Sequence, residues 1–391
     1  MITTHLIRAA LSGAALLALC ASCVPGSGRQ TDVWPQFAAV PYDTMAVEGT
    51  GVTVRLGGYG SDLAFSAKDS TFWLLTDRGP NVDGAQPGSK VFPLPEYMPH
   101  IGVFRYEGGA LRLLREIPLR DGDGLDFCGL PNETGDGQTG EVALSLQGTV
   151  LHAGGRRGLD PEGLALMPDG SFWVSDEYGP FLLHFSADGR CLQVRSPFNG
   201  GLPGAYAHRR PNRGMEGLCA NRTGTLLYGM LQSPMPESAG YAAADELPLC
   251  VISLATGDIR EYLYPLDTMA EGVSALACVD DSTLLVLERD GAFPINGKGF
   301  KRIYRVTLPG TVPGRPLRLA KTLEVDLLQA LPGYAHDKAE GLALIGDSIL
   351  VVANDDDFGL MAGDKDMPCK PKLNPGGHPD FNELVFIRHR L

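Results

Sequence analysis

Four short stretches of the chain pair an acidic residue with glycine just before an apolar run: Glu162-Gly163, Glu216-Gly217, Glu271-Gly272 and Glu340-Gly341. In three of them a second acidic cluster follows 14 to 17 residues later: Asp176-Glu177, Glu288-Arg289-Asp290 and Asp355-Asp356-Asp357. Carboxylates of this number, if gathered in one place, raise one another's pKa and destabilise the fold unless a cation offsets them. A hard divalent ion taking six to eight oxygen ligands is the natural partner, and calcium is the one most available outside cells. Basic residues interleaved beside the acids, Arg78, Arg156, Arg157, His208 to Arg210, Arg213, Arg289 and Lys338, offer a second way of balancing the charge.

A repeating architecture would bring such distant acids together. DPEGLALMPDGSFWVSDEYGP, from Asp160, recurs as MEGLCANRTGTLLYGMLQSP, AEGVSALACVDDSTLLVLERDG and AEGLALIGDSILVVANDDDFG, with a weaker copy in GSDLAFSAKDSTFWLLTDRGP from Gly60. Each copy has an apolar run, a turn of Gly, Asp or Asn and a second apolar run, which is a β-hairpin. The starting positions 61, 162, 216, 271 and 340 are compatible with units of about 50 residues, the length of a four-stranded propeller blade. Third and fourth strands follow in IGVFRYEGGALRLLREIPL, FLLHFSADGRCLQVRS, LCVISLATGDIREYL and KRIYRVTLPG with RLAKTLEV. The C-terminal ELVFIRHRL supplies a third strand only.

The expected fold is therefore all-β, a single propeller of five blades. Six are possible if Arg120 to Gly158 forms one of its own and not a long functional loop. The N- and C-terminal strands close the ring, the missing strand coming from Val52 to Leu56. The start of an inner strand and the end of its antiparallel neighbour share one edge of a blade, so Glu162 and Asp176 are expected on the order of 5 Å apart. Glu162, Glu216, Glu271 and Glu340 should then converge on one mouth with Asp77, Asp176, Glu177, Glu288, Asp290, Asp355 and Asp356. Acids in such rings also cap turns and bind backbone amides. Capping, however, would not require the closing cluster to change from DEYG to LQSP to ERDG to NDDDFG.

The formal charge of -13 over 391 residues excludes an extended phosphate-binding surface, and no nucleic-acid partner is expected. The expected partner is a small anionic or ester substrate, bound by a monomer. No G-x-S-x-G elbow, HExxH or paired CxxC occurs, and Asp121, Asp123 and Asp126 lack the spacing of an EF-hand loop. His5 and Arg8 precede the apolar run Ala9 to Leu19, which is too short to span a bilayer and reads as an export signal. Cys20 and Cys23 in Cys-Ala-Ser-Cys resemble a lipoprotein box. The expected organisation is a signal segment over 1–23, a linker over 24–43 and one domain over 44–391. Such a protein is exported and is periplasmic, anchored to the outer membrane by lipid, or secreted; its only contact with membrane would be that N-terminal anchor. Six cysteines remain, at 128, 191, 219, 250, 278 and 369. They allow up to three disulfides, and Cys219 and Cys278 also fit as buried thiols.

Taken together, DPEGLALMPDGSFWVSDEYGP, NRGMEGLCANRTGTLLYGMLQSP, LLVLERDG with KRIYRVTL, and KAEGLALIGDSILVVANDDDFG resemble the phytase-like family described by its esterase-like activity, over Gly57 to the C-terminus. The resemblance implies an exported β-propeller that hydrolyses phosphate or other esters with the help of calcium. It implies Glu162, Asp176, Glu177, Glu216, Glu271, Glu340 and Asp355 as metal ligands, with Glu162, Asp176 and Glu177 catalytic. Arg78, Arg213 and Lys338 would hold anionic oxygens. Two departures make the ring lopsided: Ser61-Asp62 stands for Glu-Gly in the first copy, and Gln232-Ser233 replaces the acids in the third. A lactonase of the gluconolactonase type and a non-catalytic ligand-binding propeller of the cell envelope are the competing readings.

Overall fold

A computed structural model describes residues 34–47, 50–236, 245–295, 298–310, 316–364 and 367–391. The export signal and both candidate lipidation cysteines lie outside these residues. The folded unit runs from Pro35 to Leu391, is all-β, and has among its described residues no helix long and apolar enough to cross a membrane.

Every hairpin expected from the repeats opens a sheet. The first sheet orders Asp62–Ser66, Thr71–Leu75, His100–Glu107 and Ala110–Pro118, and the second orders Pro161–Leu166, Phe172–Asp176, Phe181–Phe185 and Cys191–Arg195. The third is Met215–Ala220, Leu226–Leu231, Glu246–Ser253 and Ile259–Pro265, with Leu317–Arg318 added in parallel; the fourth is Gly272–Asp280, Thr283–Arg289, Lys301–Thr307 and Lys321–Asp326. In the fifth, Lys338–Ile345, Ile349–Asp355 and Glu383–Arg388 are completed by Phe37–Ala39, which pairs antiparallel with the C-terminal strand. The N-terminal contribution thus comes from inside the segment expected as linker. Val52–Arg55, the strand expected there, pairs instead with Thr44–Val47 in a separate ribbon. Residues 120–158 contribute one short strand, Val142–Leu144, to a small accessory ribbon and no further four-stranded sheet.

The sheets stack face to face, which explains why strands such as Phe172–Asp176 and Thr71–Leu75 are buried along their whole length and read as unbroken apolar runs. Trp73, Ile101 and Val103 pack against Phe172, Val174 and Phe185 between the first two sheets. Trp173, Leu182, Leu218 and Leu227 fill the next interface, and Tyr228, Leu249, Val286 and Val306 the one after. Leu285, Ile303, Leu342 and Val385 lie between the fourth and fifth sheets, and Phe72 meets Phe386 edge to face at 5.8 Å between the fifth and the first. All six cysteines of the folded unit are thiols, five of them buried.

The first strands of the five sheets lie side by side, Asp62–Ser66 touching both Pro161–Leu166 and Lys338–Ile345. Glycine makes this approach possible. A Cβ on Gly163 would sit 2.4 Å from the main-chain oxygen of Glu216, and one on Gly341 would sit 2.8 Å from the backbone nitrogen of Leu63. Hydroxyls then tie neighbouring strands, Ser175 donating to the Glu216 carbonyl and Ser274 to the Ala339 carbonyl, each at 2.7 Å.

Candidate functional site

The glutamates of the Glu-Gly pairs owe their direction to interruptions in these inner strands. Pairing of Pro161–Leu166 with its neighbour slips between Pro161 and Gly163, that of Met215–Ala220 between Met215 and Leu218, and that of Lys338–Ile345 between Ala339 and Gly341. A β-bulge re-aims the extra side chain, and here Glu162, Glu216 and Glu340 are the residues it releases. All three line one cavity of about 470 Å³, together with Glu271, Asp77, Asp160, Glu177 and Asp355.

At one side of this cavity Asp160, Glu162 and Glu177 each place a carboxylate oxygen within 4.8 Å of the other two. Among the described residues Glu162 forms no hydrogen bond or ion pair. Oδ2 of Asp160 lies 3.4 Å from Arg78 Nε but accepts no hydrogen bond, and the same is true of the buried Oε2 atoms of Glu216 and Glu340. Burial, followed by repulsion from Glu216, Asp160 and Glu177, pushes the Glu162 carboxyl well above the usual range. Burial and then Asp160 push Glu177 to about 8. Glu216 is raised well above the ordinary value by burial, then by Glu177 and Glu340. Oxygens bound to one calcium at about 2.3–2.6 Å can be separated by up to about 5 Å. The trio, with its under-bonded oxygens, therefore fits a single hard cation.

Several expected members of the ring have other tasks. Asp176, expected as catalytic residue and ligand, is fully buried behind the cavity, where it accepts the N–H groups of Asp160 (2.9 Å), Tyr178 (3.2 Å) and Gly179 (3.3 Å). It latches the turn that presents Asp160 and Glu177. Glu288 faces away and binds Tyr264 and Lys321. Asp290 binds Lys301, and Asp356 pairs with Arg55 at 3.2 Å. In the first copy Asp62 spans the inner strands, accepting from Leu63, Leu164 and Leu342.

The expected anion-binding cations do line the cavity, but two are already engaged. Arg78 binds Glu141 at 3.0 Å and Asp160 at 3.4 Å, and its ring partner Tyr178 donates to the Gly129 carbonyl. Lys338 binds Asp355 at 3.0 Å and also Asp357. Arg213 is different: half of its side chain is exposed, and it lies 3.8 Å from Glu177 while bonding Gln232.

Asp160, Asn212, Gln232, Asp337, Asp357 and Lys372 line the site without having been assigned to it from sequence, and Glu141 holds Arg78 from behind. Asp160 lies in the first repeat quoted but has no counterpart in the other copies. Lys372, buried and bound to Asp337 (2.8 Å), Asp357 (2.7 Å) and Asp380 (3.2 Å), arrives on the ribbon of Leu360–Ala362 and Cys369–Pro371, outside any repeat. The Asp121 loop forms a local turn, Asp121 accepting from Asp123 and Leu125.

The family model for the esterase-like activity of phytase matches residues 54–358. The chain belongs to the phytase-like family. A secreted protein of Arthroderma benhamiae, itself uncharacterised, is 32% identical to this family member over 254 residues, 52% of this chain and 49% of that protein. The chain thus spans about half the length of the curated relative it matches. Among solved structures, the gluconolactonase XC5397 of Xanthomonas campestris is similar over 90% of this phytase-like chain and 99% of its own, at 12% identity and a TM-score of 0.40. A protein from Lactobacillus plantarum covers 86% of this chain and 92% of its own, at 14% identity and a TM-score of 0.37.

Proposed function

We propose that this chain is an exported, calcium-dependent hydrolase of a phosphate or carboxylic ester, acting at the mouth of a closed five-bladed ring. The five sheets and the cyclic order in which their first strands touch support the ring. One observation carries the chemistry: Glu162, without a partner of its own, stands within 4.8 Å of Asp160 and Glu177 in a cavity of substrate size.

Asp160, Glu162 and Glu177 would hold the cation. When bound, it supplies the positive charge that stabilises these carboxylates in ionised form and polarises the ester. Arg213, the cation with a half-exposed side chain, binds the anionic oxygens of the substrate through its fork of N–H donors. Glu216 has a raised pKa and an Oε2 that accepts no hydrogen bond. Once a bound cation favours its ionised form, Glu216 would take the proton of the attacking water.

A second reading, capture of an anionic ligand without turnover, draws on the pairing of Arg78, Arg289, Lys338 and Lys372 with carboxylates. One experiment separates the two. The purified mature protein is melted with and without calcium and assayed on phosphate monoesters, carboxylic esters and lactones. Hydrolysis that needs calcium and disappears in Glu162→Gln supports the enzyme. Binding of an anionic ligand with no turnover on any substrate supports the binding module, and no response to any divalent ion overturns the calcium-dependent hydrolase.

A further inference from the structure

One stretch of the cavity's lining is apolar. Val82, from the short strand Val82–Asp83, and Leu360, Met361 and Ala362, from Leu360–Ala362, line it where their two ribbons touch. Phe293 lines it as well, with Lys372 Nζ 5.5 Å from its ring centre. Val82 and Leu360 are buried in the small core beneath, whereas Met361 is 39% exposed.

This wall is firmly placed. Asp357 and Phe358, directly before it, hold the left-handed backbone conformation, at φ 49° and 55°, which costs energy in residues with a Cβ and persists only when neighbours impose it. Here Lys338 and Lys372 grip the Asp357 carboxylate, and Phe358 stands edge-on to Tyr97 at 5.0 Å. The neighbouring Lys338 and Lys372 are satisfied by carboxylates, whereas Met361 stays exposed among the described residues. A phosphate group and one cation would also leave much of a 470 Å³ cavity unfilled, since a water alone claims about 30 Å³.

We infer that the substrate is a phosphate monoester of an apolar alcohol, its phosphate held at the Asp160, Glu162, Glu177 and Arg213 end and its alkyl chain laid on Val82, Phe293, Leu360 and Met361. The inference rests on the hydrolase reading above. Hydrolysis forms a P–O bond to water and breaks the P–O bond to the alcohol, which leaves with a proton. The wall contributes by removing the chain of the alcohol from water, worth up to about fourfold in affinity per methylene buried.

The test uses the mature protein in calcium and two pairs of probes: hexylphosphonate against methylphosphonate for binding, and hexyl phosphate against ethyl phosphate for turnover. The two esters release alcohols of similar acidity, so a difference reports on the chain and not on the leaving group. Hexylphosphonate is expected to bind about tenfold tighter than methylphosphonate, and hexyl phosphate to show a kcat/KM about tenfold higher than ethyl phosphate. Met361→Gln and Phe293→Ser should each remove most of that preference; the second variant serves if the first does not fold. Equal binding of the two phosphonates, binding of neither, or a preference that both substitutions leave intact overturns the inference. Turnover without a chain-length preference sinks this inference alone. A preference in binding with no turnover of either ester upholds the wall and sinks the hydrolase reading.

Discussion

Asp62 and Leu164 are 102 positions apart, yet the N–H of Leu164 donates to Asp62 Oδ2 at 2.7 Å. The other oxygen of the same buried carboxylate takes the N–H groups of Leu63 at 2.8 Å and Leu342 at 3.3 Å, so one side chain spans the inner strands of the first, second and fifth sheets. Replacing it strands two long-range donors in a dry interior, each at a cost of about 1–3 kcal/mol. Asp62→Ala is expected to lose about 3 kcal/mol or more in urea unfolding, and Asp62→Asn, which keeps one acceptor oxygen, less. Loss below about 1 kcal/mol in Asp62→Ala would remove the strap from the account of this fold.

Glu162 and Asp176 sit next to each other in the sheet but should respond oppositely to neutralisation. Glu162→Gln removes an unpartnered carboxyl whose ionisation is opposed by burial and by Glu216, Asp160 and Glu177, so it should raise the calcium-free melting temperature by a few degrees and abolish the calcium-induced rise. Asp176→Ala uncaps three backbone N–H groups and should lower the calcium-free melting temperature. Calorimetric melts of both variants with and without calcium decide the assignment.

Stripping the cation should make the protein sensitive to base. The Glu177 carboxyl is raised from 4.5 to about 8, by burial first and Asp160 second. An acid whose pKa is higher in the folded state contributes stability that is fully present below its unfolded value and disappears as pH climbs through the folded one. The calcium-free melting temperature should therefore decline between about pH 5 and 8, and calcium should flatten the decline. Melts in chelator across that range, with Glu177→Gln as the control that titrates less, test the origin of the effect.

His336 supplies a second pH dependence, away from the carboxylate trio. Burial disfavours its charge, but hydrogen bonds to Asp380 at 2.7 Å and Glu383 at 3.1 Å outweigh that and raise it from 6.5 to about 9. Its stabilisation is full below pH 6.5 and fades as pH rises through 9. The stability difference between the native protein and His336→Gln should shrink over that interval when followed by denaturant titration at fixed calcium.

Gly163 offers a steric test. Its missing Cβ leaves room for the Glu216 carbonyl, so Gly163→Ala must push two inner strands apart at about 1–3 kcal/mol. The same substitution at Gly257, where the left-handed backbone at φ 81° is the strain and nothing crowds a Cβ, should leave calcium binding unchanged.

Much of this architecture is legible in the residues alone. Five hairpins announce themselves because an apolar run, a turn such as Pro168-Asp169-Gly170 and a second apolar run depend on local preferences: Gly170 accepts φ 92° and Asp169 caps the N–H of Ser171 at 2.9 Å. The convergence of Glu162, Glu216, Glu271 and Glu340 follows from the same repetition. Tertiary structure decided the remainder. Both Phe37–Ala39 and Val52–Arg55 are short enough and apolar enough to complete the fifth sheet, yet the first pairs with Glu383–Arg388 and the second with Thr44–Val47. Asp176 and Glu177 are adjacent acids of identical charge, yet one caps a turn and the other enters the cavity, because the strand ends between them. Lys372 reaches its three aspartates from a ribbon with no counterpart in the other copies. Hairpins form from neighbours in the chain and leave a periodic trace; the direction of a side chain at a bulge, and its partner across the fold, depend on space that distant segments enclose, which no local pattern encodes.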